Sequence, residues 1–272
     1  RVHNHGIVAV AEEFLVSTQA KENGNERQSE RRPATRSWER STRRKGKTGG
    51  SRTPRAAPRL SCGDLRKAYE AQVARLADAY PTLQFFADEN GMWLLAESLI
   101  ISDLPRRATF LLALPYTADV GPKAWGYWRT EKGLTWIGPR HTNFQDGSIC
   151  AFSPTEGAWV EGGDLRTLFD LYSVWALRHL HLEIIGLWPG KQYALNGEDI
   201  RVQAYYRLRE CKDEELCGCG SEDQKYKNCC KPLDQQFDIT HLMAAFLRKI
   251  ENGFASRRTP APVREYVEGL ST

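Results

Sequence analysis

The sequence predicts an α+β domain, because a long amphipathic helix is followed by several short apolar segments with turn residues between them, and then by a second long helix. With 272 residues, 41% hydrophobic content and eight tryptophans, the chain can build a substantial core. Leu65, Tyr69, Val73, Leu76 and Tyr80 recur at helical spacing; Asp64 stands as the cap and Pro81 as the stop. Leu83 to Ala87, Met92 to Ile101 and Ala108 to Leu114 are short, apolar and bounded by Gly, Pro or charge, and Asp88-Glu89-Asn90-Gly91 is a turn between the first two. They read as an antiparallel meander. Trp125, Tyr127 and Leu134 to Ile137 supply a further strand pair. The Gly-, Ser- and Asp-rich stretch around Cys150 has no period and is expected to be a loop positioned by the sheet. Gly162-Gly163-Asp164 opens a helix from Leu165 to about Leu187, with Leu168, Tyr172, Trp175, Leu180 and Ile184 among its apolar positions. Trp188-Pro189-Gly190 stops it. This order places the helices on one face of the sheet.

Ahead of this domain lies a leader, residues 1–60, with 14 Lys/Arg against 6 Asp/Glu. The remainder of the chain is net negative, so the formal charge of +4 belongs to the leader. From Ser17 to Pro58, Trp38 is the only large apolar residue, and such a segment buries too little surface to offset the entropy of ordering. It is expected to be a solvated, disordered tail. The functional alternative is an electrostatic arm for an acidic or nucleic-acid partner, centred on Arg43-Arg44-Lys45-Gly46-Lys47. Residues 7–16 are mildly apolar but contain Glu12 and Glu13 and lack a small-residue cleavage site, so no secretory signal is expected. No run reaches the ~20 apolar residues of a membrane span. The chain begins with Arg rather than Met, as a fragment or a mis-called start would. These features place the protein in a reducing cytoplasm, with no disulfides.

The seven cysteines divide. Four fall between Cys217 and Cys230, Cys62 and Cys211 have no comparable setting, and Cys150 ends the stretch His141-Thr142-Asn143-Phe144-Gln145-Asp146-Gly147-Ser148-Ile149-Cys150. A catalytic cysteine reacts as thiolate and needs partial exposure with polar surroundings. Gly147 lets the backbone approach a substrate, and the Asn143 amide is a donor for an oxyanion at a thioester carbonyl. The simpler alternative is a buried strand cysteine, with Asn143 capping backbone groups.

The stretch resembles the ubiquitin-conjugating enzymes, whose pattern is His-Pro-Asn followed by Gly-x-Ile-Cys. Here His141-Thr142-Asn143 precedes Gly147-Ser148-Ile149-Cys150, and Trp159 stands where the family has a tryptophan between the cysteine and a helix. Thr142 replaces the family's proline, which removes a backbone lock. The resemblance covers roughly residues 62–200 and is closer to divergent bacterial members. It implies the ubiquitin-conjugating-enzyme-like fold: N-terminal helix, antiparallel meander sheet, active-site loop, C-terminal helices. It also implies that Cys150 accepts the C-terminal acyl group of a ubiquitin-like protein from its activating enzyme and passes it to an amine of a protein substrate. Asn143 would then support the carbonyl oxygen or shape the loop that does, and His141 would be structural. Asp146, His179 and His181 are candidates for a general base; for the two histidines, packing or surface roles are the simpler expectation. Relatives of this kind occur in bacterial antiviral defence, and that setting is carried over as an expectation.

Cys217-Gly218-Cys219-Gly220-Ser221-Glu222-Asp223-Gln224-Lys225-Tyr226-Lys227-Asn228-Cys229-Cys230 places four thiols in fourteen residues. Four thiolates suit tetrahedral Zn²⁺, and a site filled by protein is structural. The string is similar to the SEC-C motif, the zinc-binding module of the bacterial secretion ATPase SecA and many other proteins. Cys217, Cys219, Gly220, Ser221, Tyr226, Lys227, Cys229 and Cys230 match it. In relatives the module docks protein or ribosomal partners, and Lys225, Tyr226 and Lys227 are expected to form a contact face. Redox-active vicinal thiols are the alternative, and Cys211 is left outside the site.

The expected organisation is thus a leader at 1–60, a catalytic domain at 61–205, a zinc module at 212–234 and a C-terminal helical tail at 235–272. The leading expectation is a cytoplasmic transferase for ubiquitin-like conjugation. The alternatives are a non-catalytic SEC-C zinc-binding adaptor for protein or ribosomal and nucleic-acid partners, and a secretion- or ribosome-associated factor that rests on the zinc motif alone.

Overall fold

The computed structural model describes residues 60–98, 106–117, 121–152, 157–192, 198–251 and 259–270. Residues 1–59 of the basic leader and the end of the expected strand at Ile101 lie outside the described residues.

The chain folds as α+β, with a five-stranded antiparallel sheet and six α-helices among the described residues. Helix α1 (Cys62–Ala79) buries Leu65, Tyr69, Val73 and Leu76, and Tyr80 is buried just beyond it. Its cap is Ser61 rather than Asp64: the Ser61 hydroxyl accepts from the Asp64 N–H, and the Asp64 carboxylate reaches back to the Ser61 N–H. Asp64 is therefore the third helical residue of a capping box, a role that composition alone does not separate from the cap itself.

Strands β1 (Gln84–Ala87), β2 (Gly91–Glu97), β3 (Ala108–Pro115), β4 (Lys123–Thr130) and β5 (Gly133–Trp136) pair in sequence order. The β1–β2 turn is held by the Asp88 carboxylate, which accepts from the Asn90 and Gly91 N–H groups. Side chains alternate between two faces. Met92, Leu94, Phe110, Leu112 and Trp128 point to one apolar cluster; Trp93, Leu95, Leu111, Trp125 and Tyr127 point to the other.

Helix α2 (Leu165–Ile185) is capped by Asp164 and ended by Gly186, whose φ of 79° places it in the left-handed region that favours glycine. It packs Leu165, Leu168, Phe169, Tyr172, Trp175 and Leu180 on the first face, with α1; Ile184, expected to be buried, is exposed. Gly126 makes this approach possible, because a Cβ there would lie 2.7 Å from Trp175 Cζ3.

Helix α3 (Ile200–Glu210) runs through the boundary expected at residue 205. A 3₁₀ turn (Tyr226–Asn228), α4 (Lys231–Asp234), α5 (Ile239–Glu251) and α6 (Ala261–Gly269) follow. The sheet was expected to be covered on one face, but Val263, Tyr266 and Val267 of α6 pack on the second face against Trp93, Trp125 and Tyr127. The near-continuous apolar runs of β2 and β3 have this cause: both of their faces are buried. Among the described residues, no helix is long and apolar enough to cross a membrane.

Candidate active-site loop and metal centre

Residues 141–150 fold back on themselves just after β5. The Cys150 N–H donates to the His141 carbonyl at 3.0 Å, Thr142 bridges to Ile149, and the Asn143 N–H donates to the Ser148 carbonyl at 2.7 Å. Gly147, at φ 68°, closes the turn through its N–H to the Asn143 carbonyl. Cys150 thus lies at the base of a short hairpin and Asn143 near its tip, and the thiol-bearing residue is partly exposed.

Each side chain singled out from the sequence has a defined place. The Asn143 amide donates to the Ser148 hydroxyl at 2.9 Å, so it staples the hairpin across its tip. Asp146 accepts from the Ser148 N–H and hydroxyl and pairs with Lys123 of β4; its carbonyl accepts from the Trp125 indole. It is a fastening between loop and sheet. The Thr142 hydroxyl donates to the Pro139 carbonyl at 2.6 Å, a side-chain lock at the position of the missing proline.

His141 is buried, with its ring stacked on Trp188 at 4.0 Å between centroids and its Nε2 2.8 Å from Gln192 Oε1. Burial, reinforced by the Arg140 charge, pushes its pKa down to about 3, so the ring is neutral at physiological pH. Its carbonyl accepts from both the Cys150 N–H and the Trp175 indole. His179 is buried too, bonded to the Arg140 carbonyl at 2.7 Å, and burial pushes it down to about 4. Its Nε2 is committed to the backbone, and its role is packing. His181 is exposed, 2.9 Å from the Leu187 carbonyl. The indole of Trp159 donates to the Asp164 carbonyl at the start of α2, so this residue anchors the return from the loop to the helix.

The four cysteines 217, 219, 229 and 230 converge, with all sulfurs within 4.8 Å of one another. Cys219 and Cys229 are 3.7 Å apart, and Cys229 and Cys230 3.9 Å. A tetrahedral ion with metal–sulfur bonds of about 2.3 Å requires sulfurs about 3.8 Å apart. One ion bound by all four thiols fits. Gly220, at φ 85°, returns its N–H to the Cys217 carbonyl, and Leu216 pairs with Lys225 in a two-residue ribbon that holds the ligand-bearing turns together.

Cys211 lies beneath this cluster. A Cβ on Gly218 would come within 2.8 Å of its sulfur, and burial pushes its thiol up to about 12. It is a packed thiol. Arg207 of α3 and Asp234 of α4 form a buried two-point ion pair at 2.8 and 2.6 Å, and the Tyr226 hydroxyl donates to the same carboxylate. The expected contact face of Lys225, Tyr226 and Lys227 is corrected at Tyr226, which is buried; the two lysines are exposed and pair with Glu214.

Sequence reasoning did not find Arg140, Gln192 or Glu215. Glu215, with 0% of its side chain exposed, binds Arg140 at 2.5 and 3.2 Å and accepts from Gln192, the Trp188 N–H and the Lys212 N–H. These partners are up to 75 residues apart, and only the fold brings them together. No family model, no curated protein and no solved structure matches the chain.

Proposed function

We propose that the chain is a ubiquitin-conjugating-like transferase that carries the acyl group of a ubiquitin-like protein as a thioester on Cys150, and that zinc fills the four-cysteine cluster as a structural ion. The observation that carries this reading is the sorting of the thiols. Four converge on one point, Cys211 is buried, Cys62 sits exposed at the start of α1, and Cys150 is left partly exposed on a hydrogen-bonded hairpin. The His141-Thr142-Asn143 and Gly147-Ser148-Ile149-Cys150 spacing lies on that same hairpin. The helix, meander, loop and helix order agrees with the fold that the resemblance implies.

In the first step the Cys150 thiolate attacks the thioester carbonyl delivered by an activating enzyme. The carrier's carbon–sulfur bond breaks, and the departing thiolate takes up a proton. In the second, a substrate amine attacks the Cys150 thioester, an amide forms, Cys150 leaves as thiolate, and the amine loses a proton to solvent. Both steps build negative charge on the carbonyl oxygen. Asn143, committed to Ser148, serves the second of its expected roles, shaping the loop around that oxygen. Neutral His141 holds the base of the hairpin, and Zn²⁺, when bound, supplies four thiolate bonds that fix the chain around Cys217–Cys230.

The test is incubation with a bacterial activating enzyme, a ubiquitin-like protein and ATP, read on a non-reducing gel. A thiol-sensitive adduct is expected for the wild type and is absent in Cys150→Ala. An adduct that survives this substitution, or no adduct with any activating enzyme encoded beside the gene, overturns the reading in favour of a zinc-binding adaptor.

A further inference from the structure

The Cys150 loop and the cysteine cluster meet in one buried polar network, and Glu215 is its centre. On one side its backbone belongs to the metal module: its N–H donates to the Lys212 carbonyl, its carbonyl accepts from the Tyr226 N–H at 2.9 Å, and Cys217 lies two residues on. On the other side its carboxylate holds Arg140 and Gln192. Arg140 adjoins His141 in sequence, and Gln192 holds the His141 ring.

His141 needs such support. Its φ of 49° is a left-handed conformation that non-glycine residues adopt uncommonly and that the surroundings must hold. Its carbonyl, which receives the Cys150 N–H, is aimed by that conformation. The hairpin tip has a second tie to the C-terminal part of the chain: Phe144 packs edge-on against Tyr206 of α3 and Phe246 of α5, at 5.7 and 6.2 Å between centroids.

We infer that Glu215 is a positioning residue through which metal bound at Cys217, Cys219, Cys229 and Cys230 fixes the backbone conformation of His141 and so the placement of Cys150. The module is a buttress of the loop. When the metal leaves, the ribbon carrying Glu215 loosens, and Arg140, Gln192 and the Trp188 N–H lose their common acceptor. A buried Arg140 without its carboxylate is then a strong drive to rearrange the loop. The inference rests on the metal reading of the cluster and on Cys150 as the working thiol, but it does not require the acyl group to be that of a ubiquitin-like protein.

The test uses the full chain loaded with Co²⁺ or Zn²⁺ and two readouts that need no transfer activity: the alkylation rate of Cys150, followed by peptide mass spectrometry, and amide exchange over residues 139–150. Chelation of the metal and Glu215→Ala are each expected to raise Cys150 amide exchange by about tenfold or more, the loss of one charge-assisted anchor. The alkylation rate shifts in the same two samples, while β3 amides keep their protection, which a purely global destabilisation would not allow. Glu215→Gln keeps one acceptor oxygen, enough for either the Trp188 or the Lys212 amide, and is expected to restore part of the effect. Should Glu215→Ala fail to fold, Gln192→Ala cuts the link to His141 alone and is expected to loosen the same residues. In the soluble variant the thiolate absorption of bound Co²⁺ remains, so the cluster is intact while the loop has changed. Glu214→Gln, on an exposed lysine pair, leaves both readouts as in the wild type.

Unchanged exchange and alkylation at Cys150 in the metal-free protein and in the Glu215 and Gln192 variants overturn the inference. A wild-type chain that takes up no metal, seen in native mass spectrometry, overturns it by removing the metal reading itself. Failure of the adduct assay with exchange coupling intact removes the transferase reading alone.

Discussion

The Cys150 hairpin and the cysteine cluster both fix sulfur atoms in place, and they do so by opposite means. The cluster draws its ligands from fourteen consecutive residues, and two of its sulfur pairs, at 3.7 and 3.9 Å, are already at the spacing one tetrahedral ion requires. The hairpin has no such common point. Its shape depends on Trp175 and His179 from α2, Lys123 from β4, and Glu215 from the ribbon beside the cluster. The cysteine cluster is assembled from near neighbours in the chain, whereas the hairpin is held by groups from remote elements.

The largest effect that separates the two regions is expected from metal removal. Structural zinc contributes on the order of 10 kcal/mol in small modules. Cys217→Ser or chelation is expected to abolish binding of one ion in native mass spectrometry and to strip amide-exchange protection from residues 215–230. An ion-free protein whose residues 215–230 exchange as in the wild type would show that the cluster is a packing feature.

Next comes the buried pair beneath the cluster. Arg207→Met leaves Asp234 buried without its cation and is expected to cost about 3–5 kcal/mol in denaturant unfolding. Removing both charges together is expected to recover much of that loss, as it leaves no orphaned ion. A single substitution that costs nothing would make the module's attachment to α3 dispensable.

On the hairpin side the expected effects are smaller. Gly126→Ala pushes a methyl group into Trp175 and is expected to cost about 1–3 kcal/mol, with a change in tryptophan fluorescence as the indole bond to the His141 carbonyl weakens. Loss of stability without that change would mean that the strain is absorbed in the sheet rather than passed to the loop.

The smallest expected step, per histidine and per pH unit, is a graded one with pH. His141 and His179 stay neutral in the folded chain, with values pushed down to about 3 and about 4, whereas in the unfolded chain they take up protons below about pH 6.5. The stability they confer is complete above that point and falls as the pH drops toward their folded values, by about 1.4 kcal/mol per histidine per pH unit. Denaturant titrations at pH 7, 6 and 5 should show it, and His141→Gln should reduce the slope by about half. An unchanged slope would mean that His141 is hydrated in solution.

Much of the architecture was legible in the sequence because its determinants are short-range. The spacing of Leu65, Tyr69, Val73 and Leu76 gave α1, and apolar runs between turn residues gave the meander. Two features were misjudged for one physical reason: a local pattern does not say what will pack on it. Ile184 continues the apolar spacing of α2 yet is exposed, while its neighbours Leu182 and Glu183 are the ones that meet the core and the Trp128 indole of β4. The second face of the sheet is covered by α6, more than 120 residues downstream of β5. Tyr226 shows the reverse case, a motif residue read as a contact that is spent instead on Asp234.

By itself, the sequence determined that this protein is α+β, that four of its cysteines can share an ion, and that Cys150 stands apart on a polar turn. Each of these follows from residues close in the chain, where spacing fixes geometry. Only the tertiary structure decided that the cluster and the loop are one connected unit. Arg140, Gln192 and Glu215 are unremarkable polar residues until folding buries them against one another, and a buried charge must find its partner wherever in the chain that partner lies.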